Sequence, residues 1–256
     1  MSAPVVATRE EWMTVAAARM LWDRCVCFVG IGLPSAACNL ARLTQAPDIV
    51  LIYESGTIGT RPDVLPLSIG DGELAETAAF VVPLPEVFAH YLQGGRVDAG
   101  FLGAAQVDRF GNLNSTVIGP YAAPDTRLPG AGGAPEIAAH ARQTFVMLRG
   151  DRRSFVERLD FRTTAFRPGR GPRAVITDFG ILAPQPDTGE LRLAALFADA
   201  TVEEARAAVA WPLAIADPLE RVAPPTAHEL DTLRALQART REAHERPVVL
   251  PGAAAP

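Results

Sequence analysis

The sequence predicts a single α/β domain with a mostly parallel sheet covered by helices on both faces, and three observations predict it. Short, continuous apolar runs, at residues 25–29 and 48–53, alternate with stretches of helical periodicity. Glycine turns follow directly on such runs and lead into helices whose first turn carries proline, at Gly30-Ile-Gly32 with Pro34 and at Gly130-Ala-Gly132-Gly133 with Pro135. No repeat or long linker divides the pattern. The domain is expected over residues 1–246, with 247–256 as a loose, low-complexity tail.

In order, Thr8 and Glu11 form a capping box, and Trp12, Val15, Ala16 and Met20 recur at helical spacing, so the first helix runs to about Leu21. Residues 25–29 read as a buried strand broken at Gly30, and a helix follows from Pro34 to Arg42. Residues 48–53 read as a second strand that stops at Glu54-Ser55-Gly56, completing a β-α-β unit with a carboxylate at the strand's end. Residues 85–93 look like a short helix closed by Gly94-Gly95, and 99–102 like a strand. Further strands are expected at 144–148, 173–178 and 191–197, the last beyond a turn at 187–189. Two more capping boxes, Thr201 with Glu204 and Thr226 with Glu229, open two late helices.

The composition excludes several classes of function. With 256 residues, 48% apolar and 21% charged, the chain buries a core and is not disordered. The net charge is −5, and the 24 basic residues are all arginine. Without lysine there is no Schiff-base chemistry and no P-loop lysine, and the acidic balance gives nucleic acid no electrostatic purchase. Three cysteines (Cys25, Cys27, Cys38) are odd in number and clustered, which fits buried thiols in a reducing, cytoplasmic setting. The four histidines are scattered without ligand spacing, so no metal is expected. The longest uncharged stretch, 25–41, contains Gly30, Gly32, Pro34 and Asn39 and is not read as a membrane span; the opening residues do not read as a secretion signal.

Ligands of open α/β sheets gather at the carboxyl ends of strands, which makes Glu54 the first candidate for chemistry. A strand-end glutamate that merely caps a helix or pairs with an arginine is the blander reading. Gly30-x-Gly32 with an acidic residue some twenty positions on also imitates a dinucleotide fingerprint, although the third glycine position is Ser35. No G-x-S-x-G elbow exists, and Ser55 reads as a turn residue.

Three motifs in order then narrow the field: Glu54-Ser55-Gly56, Gly103-Ala-Ala-Gln106-Val-Asp108 with Gly111-Asn112-Leu-Asn114, and Gly130-Ala-Gly132-Gly133-Ala134. Together they resemble the B (β) subunit of family I coenzyme A transferases, closest to the glutaconate type, over most of the chain from Thr8 to the late helices. The resemblance implies a CoA-transferase-like fold and a ping-pong transfer of CoA from an acyl-CoA to a carboxylic acid through a glutamyl-CoA thioester on Glu54. Only a carboxyl side chain can itself hold CoA as a thioester. It implies oxyanion and acyl binding by Gly132, Gly133 and Gln106, and CoA binding at Gly30, Gly32, Asn112 and Asn114. CoA would be a substrate, with no tightly bound cofactor, and the partner would be an α subunit of similar fold in a heterotetramer or larger assembly. Pro135 stands where the glutaconate type would carry asparagine, so the resemblance does not extend to glutaconate as substrate. The arginine-rich stretch from Arg149 to Arg173 could meet CoA's phosphates, but its interleaved Asp151, Glu157 and Asp160 suit a solvated face or a subunit contact. An acyl-CoA hydrolase or decarboxylase on the same fold, a dinucleotide-binding protein and a non-catalytic subunit stay open as alternatives.

Overall fold

The computed structural model describes residues 6–166 and 171–245. The expected tail at 247–256, and Arg167 and Arg170 of the basic stretch, lie outside the described residues.

Helix α1 (Arg9–Ala18) opens on the capping box: the Thr8 hydroxyl accepts from Glu11 N, and Glu11's carboxylate accepts from Thr8 N at 2.8 Å. Strand β1 (Val26–Phe28), α2 (Leu33–Leu43) and β2 (Val50–Ile52) form the expected unit, with β1 and β2 parallel and Phe28 opposite Ile52. Then come β3 (Thr57–Ile58), α3 (Gly72–Glu76), β4 (Phe80–Val81), α4 (Leu84–Glu86) and a π-helical segment, Val87–Gln93. Beyond β5 (Ala99–Leu102), two small hairpins project: β6 (Gln106–Val107) with β7 (Leu113–Asn114), and β8 (Val117–Ile118) with β9 (Thr126–Arg127). The chain finishes with α5 (Ala134–His140), β10 (Gln143–Met147), β11 (Ala174–Ile176), β12 (Gly180–Pro184), β13 (Leu191–Leu196), α6 (Val202–Ala208), β14 (Ala214–Arg221) and α7 (Ala227–Glu245).

Ten strands make one sheet in the order β14-β13-β12-β11-β10-β5-β1-β2-β3-β4. From β11 to β2 every pairing is parallel. Antiparallel pairings flank this centre at β2–β3–β4 and at β11–β12–β13. Strands β3, β4, β12 and β14 are additions to the sequence reading. The first two are only two residues long, too short for an apolar period to register.

Strand alternation shows helices on both faces of the centre. Cys27 and Ala99 are register partners, and on that face Cys27 meets Cys38 of α2, Sγ to Sγ 3.7 Å. Phe28 and Gly100, one residue on, point the other way. There Phe28 meets Phe88 of the π-helical segment at 6.2 Å between centroids, and a methyl at Gly100 would lie 2.4 Å from Ile137 of α5. Burial on both faces is why these strands read as unbroken apolar runs. Phe28, Leu51, Ile52, Phe101 and Phe145 are all almost fully buried, and each contributes about 1.5–3 kcal/mol of apolar burial.

The expected helix at 85–93 is present but wound differently. Its two fully buried side chains, Val87 and Leu92, are five residues apart. A π-turn, closing i to i+5, brings such a pair over one another where an α-turn would splay them.

Candidate active site

Beyond Ile52 the chain reverses at once. Gly56 N donates to Tyr53 O at 3.0 Å and Tyr53 N to Thr57 O at 3.1 Å, so Glu54 and Ser55 are the central residues of a tight turn into β3. Gly56 has φ +101°, and a Cβ there would stand 2.0 Å from Val82 O, so glycine alone fits. Tyr53, completely buried, fixes the turn to α2 through a 2.8 Å hydrogen bond between its hydroxyl and Ser35 Oγ. Burial pushes the Tyr53 phenol up, so it stays neutral in that bond. The hydroxyls of Ser55 and Thr57 are buried with no hydrogen-bond partner among the described residues, a cost of about 1–3 kcal/mol each concentrated at this turn.

Glu54 is half-buried and its carboxylate lies against the Gly132–Gly133 turn. A methyl at Gly132 would be 3.7 Å from Glu54 Oε2 and 3.9 Å from Oε1, and one at Gly133 would be 3.6 Å from Glu54 Cδ. Gly132 has φ +48°, a left-handed conformation that side-chain-bearing residues adopt at a cost of about 1 kcal/mol or more. The second wall at Gly133 is Phe88, whose Cζ and Cε1 would lie 2.9 and 3.0 Å from a Cβ at that position. Neither Gly132 N nor Gly133 N donates to another group among the described residues, and the Glu54 carboxylate accepts no hydrogen bond and forms no ion pair there.

Gly30 and Gly32 sit past the end of β1, on the same carboxyl edge of the sheet. A Cβ at Gly30 would press on Phe101 O at 3.2 Å, whereas Gly32 (φ +84°) faces open space, with nothing within 4 Å. Ser35, which stands at the third position of the dinucleotide-like pattern, spends its hydroxyl on Tyr53.

Gln106, Asn112 and Asn114 lie beyond β5 on that edge, but their side chains turn toward one another and the 160–166 segment. Gln106 Nε2 donates to Asp160 Oδ2 at 2.9 Å, and its Oε1 accepts from Asn114 Nδ2 at 2.8 Å and from Asp160 N at 3.1 Å. Asn114 also donates to Val117 O at 2.6 Å and accepts from Thr116 N at 3.0 Å, which uses its amide fully. Asn112 donates to Asp108 Oδ2 at 2.9 Å and accepts from Phe166 N at 3.1 Å. The network is tied to the glycine turn through Ser115, whose hydroxyl donates to Gly130 O at 2.7 Å and whose N–H donates to Thr163 Oγ1 at 2.9 Å.

In the basic stretch Arg149 pairs with Glu10 and Arg153 with Asp151, while Arg158 and Arg162 line a groove with Arg109 and Phe110. The three cysteines are free and buried; desolvation pushes the Cys25 and Cys27 thiols up, away from nucleophilic use. Among the described residues there is no group of three or more metal-ligating side chains, and no helix is long and apolar enough to cross a membrane.

Comparison with known proteins identifies the family. A sequence model of the family "Coenzyme A transferase" matches residues 10–215. The chain belongs to the coenzyme A transferase family. It is 54% identical over 246 residues to the B subunit of the 3-oxoadipate CoA-transferase of Pseudomonas knackmussii, covering 91% of this chain and 95% of that protein. The B subunit of the glutaconate CoA-transferase of Acidaminococcus fermentans is 31% identical over 85% of this chain and 88% of its own length. The crystal structure of that glutaconate enzyme superposes with a TM-score of 0.83 at 28% identity, covering 89% of this chain and 94% of that one. The decarboxylase AibA/AibB superposes with a TM-score of 0.82 at 27% identity, covering 92% and 98%. The CoA-transferase resemblance read from three motifs therefore holds across the chain, with higher identity to the 3-oxoadipate relative than to the glutaconate one.

Sequence reasoning missed Phe88 and the Ser35–Tyr53 anchor. Phe88 looks like any apolar residue of a short helix; the five-residue spacing of Val87 and Leu92 is the one signal of a wider turn there.

Proposed function

We propose that this chain is the catalytic β chain of a heteromeric CoA transferase and that Glu54 carries CoA as a covalent thioester. The observation that carries the reading is a carboxylate with no hydrogen-bond or ion-pair partner among the described residues, held on a strand-end turn against two glycines whose N–H groups are likewise uncommitted there. One Glu54 oxygen attacks the acyl-CoA carbonyl carbon, forming an acyl–glutamyl anhydride and releasing CoA as a thiolate. The thiolate attacks Glu54 Cδ, forming the thioester and releasing the donor acid as a carboxylate. The acceptor carboxylate then attacks Cδ, giving a second anhydride and free thiolate, and thiolate attack on the acceptor's acyl carbon yields the new acyl-CoA and restores Glu54. Every step passes through an oxyanion, and the N–H groups of Gly132 and Gly133, uncommitted among the described residues, are the donors assigned to it. CoA approaches over Gly30 and Gly32, the second of which faces open space. Gln106, Asn112 and Asn114 hold the loop that borders the acyl pocket.

The 54% identity to one chain of a 3-oxoadipate CoA-transferase supports a dicarboxylic acid as one of the exchanged acids. That these relatives are named as one subunit of an enzyme, and that AibA/AibB pairs two chains, supports an α partner. So do the exposed Phe80, Val81 and Leu84, which adjoin the Glu54 turn through Val82 N donating to Gly56 O at 2.9 Å. Three free, buried thiols support a reducing, cytoplasmic location.

The deciding experiment incubates the two-subunit enzyme with a panel of mono- and dicarboxylic acyl-CoAs, adds borohydride and maps peptides by mass spectrometry. Reduction of Glu54 to its alcohol is expected. Release of free CoA with Glu54 unmodified would instead identify a hydrolase on this fold.

A further inference from the structure

The π-helical segment Val87–Gln93 is an uncommon backbone conformation, and it is placed beside the site. Its second residue, Phe88, reaches two things at once. One side of its ring rests on Phe28 at the end of β1, 6.2 Å between centroids and tilted by 50°. The ring edge abuts Gly133, so closely that a Cβ there would be 2.9 Å from Cζ. The same Cβ would be 3.6 Å from Glu54 Cδ. The phenyl ring and the carboxyl group therefore converge on the space a Gly133 side chain would fill, and the absence of that side chain is what lets both approach.

The turn is held at both ends, at Gly130 by Ser115 and at Gly133 by α5, whose Ile137 N donates to Gly133 O at 2.9 Å, and Gly132 sits between them in a left-handed conformation. Glu54 is secured from the other side by Tyr53 and Ser35. The ring closes the gap between these two anchors from the Phe28 side. An ordinary α-turn would rotate position 88 relative to Val87 and Leu92, which supplies a reason for keeping the wider turn.

We propose that Phe88 is a positioning residue for the Glu54 reaction: delivered by the π-turn, its ring sets the Gly132–Gly133 N–H groups at the distance from Glu54 Cδ that the oxyanions of the transfer require. This rests on the reading of Glu54 as the covalent nucleophile. Donors aimed at a developing oxyanion lose their effect with small displacements, and a 1 Å misplacement in an active site can cost about 10²-fold in rate.

The test compares Phe88→Ala, Phe88→Leu and wild type as two-subunit enzymes, measuring kcat, the KM for acyl-CoA and the rate of Glu54 labelling under borohydride. A fall in kcat of about 10- to 100-fold for Phe88→Ala is expected, with KM within about threefold, labelling slowed in parallel, and Phe88→Leu recovering part of the loss. Unchanged kcat and labelling, or a loss confined to KM, would overturn the role of Phe88 while leaving Glu54's intact. Failure of the wild type to label at all would overturn the Glu54 reading itself. If Phe88→Ala does not fold, Phe88→Leu alone decides, because a leucine that folds normally and transfers at the wild-type rate is incompatible with the proposal.

Discussion

Two regions on the same edge of the sheet use polar side chains in opposite ways. In the loop beyond β5, Gln106, Asp108, Asn112, Asn114 and Asp160 answer one another, and Asn114's amide has no capacity left. At the β2–β3 turn, the Glu54 carboxylate has no internal partner among the described residues, and the neighbouring Ser55 and Thr57 hydroxyls are buried unpaired. Closed networks hold a shape; an open carboxylate beside uncommitted N–H groups is available for bonds that form only during reaction. The contrast separates residues that build the site from the residue expected to react in it.

The largest expected effect comes from removing the open group. Glu54→Gln keeps the size and the turn but cannot become a leaving carboxylate, so transfer should fall by at least about 10³-fold. Because no group among the described residues bonds to the carboxylate, the unfolding midpoint should move by less than about 0.5 kcal/mol equivalent. Steady-state transfer assays beside urea unfolding check both halves. A large loss of stability would mean that Glu54 is after all a structural group.

Asn114→Ala should behave in the reverse way. It strands Val117 O and removes one partner of Gln106 Oε1 in a fully buried setting, a loss of about 2–3 kcal/mol. Turnover per folded enzyme should stay within a few-fold, measured against the urea midpoint. A raised KM for acyl-CoA at unchanged stability would break the comparison and make Asn114 a CoA contact, as the family resemblance suggests.

The difference between the regions also explains what could be read from residues alone. The parallel centre was legible because strands buried on both faces are unbroken apolar runs, and Glu54 stood out as the carboxylate that ends one of them. The capping boxes at Thr8, Thr201 and Thr226 were legible because each is a local pattern with a local hydrogen bond. Strands β3 and β4 were not, since two residues carry no period and their pairing is decided by Gly56 and Val82, far apart in sequence. Nor was the use of Gln106 and Asn114. A Gln and an Asn eight residues apart look the same in sequence whether they point at a ligand or at each other; in the structure they bond to each other and to Asp160, more than fifty positions away.

Another carboxylate sharpens the contrast from the stability side. Glu229, in the first turn of α7, is the counterpart of Glu54 with its partners supplied: Arg19 binds it through Nε and Nη2, both at 2.7 Å, and Thr226 donates through N and Oγ1. Burial alone would raise its pKa; the Arg19 guanidinium and Thr226 override that and hold it down to about 2, against an ordinary value of 4.5. A depressed folded-state pKa means that the unfolded chain binds its proton first. The stabilisation is therefore complete above pH 4.5 and is lost as the pH falls toward about 2. The full linkage value of such a shift is about 3 kcal/mol, and partial solvent access to the pair reduces it to about 1–2 kcal/mol. Thermal unfolding followed from about pH 6 down to pH 3 should show the wild type losing stability more steeply than Glu229→Gln, whose amide has no proton to gain. Parallel slopes would mean that the Arg19 clamp contributes nothing beyond packing, and that at α7 a closed carboxylate is no more structural than the open one at the β2–β3 turn.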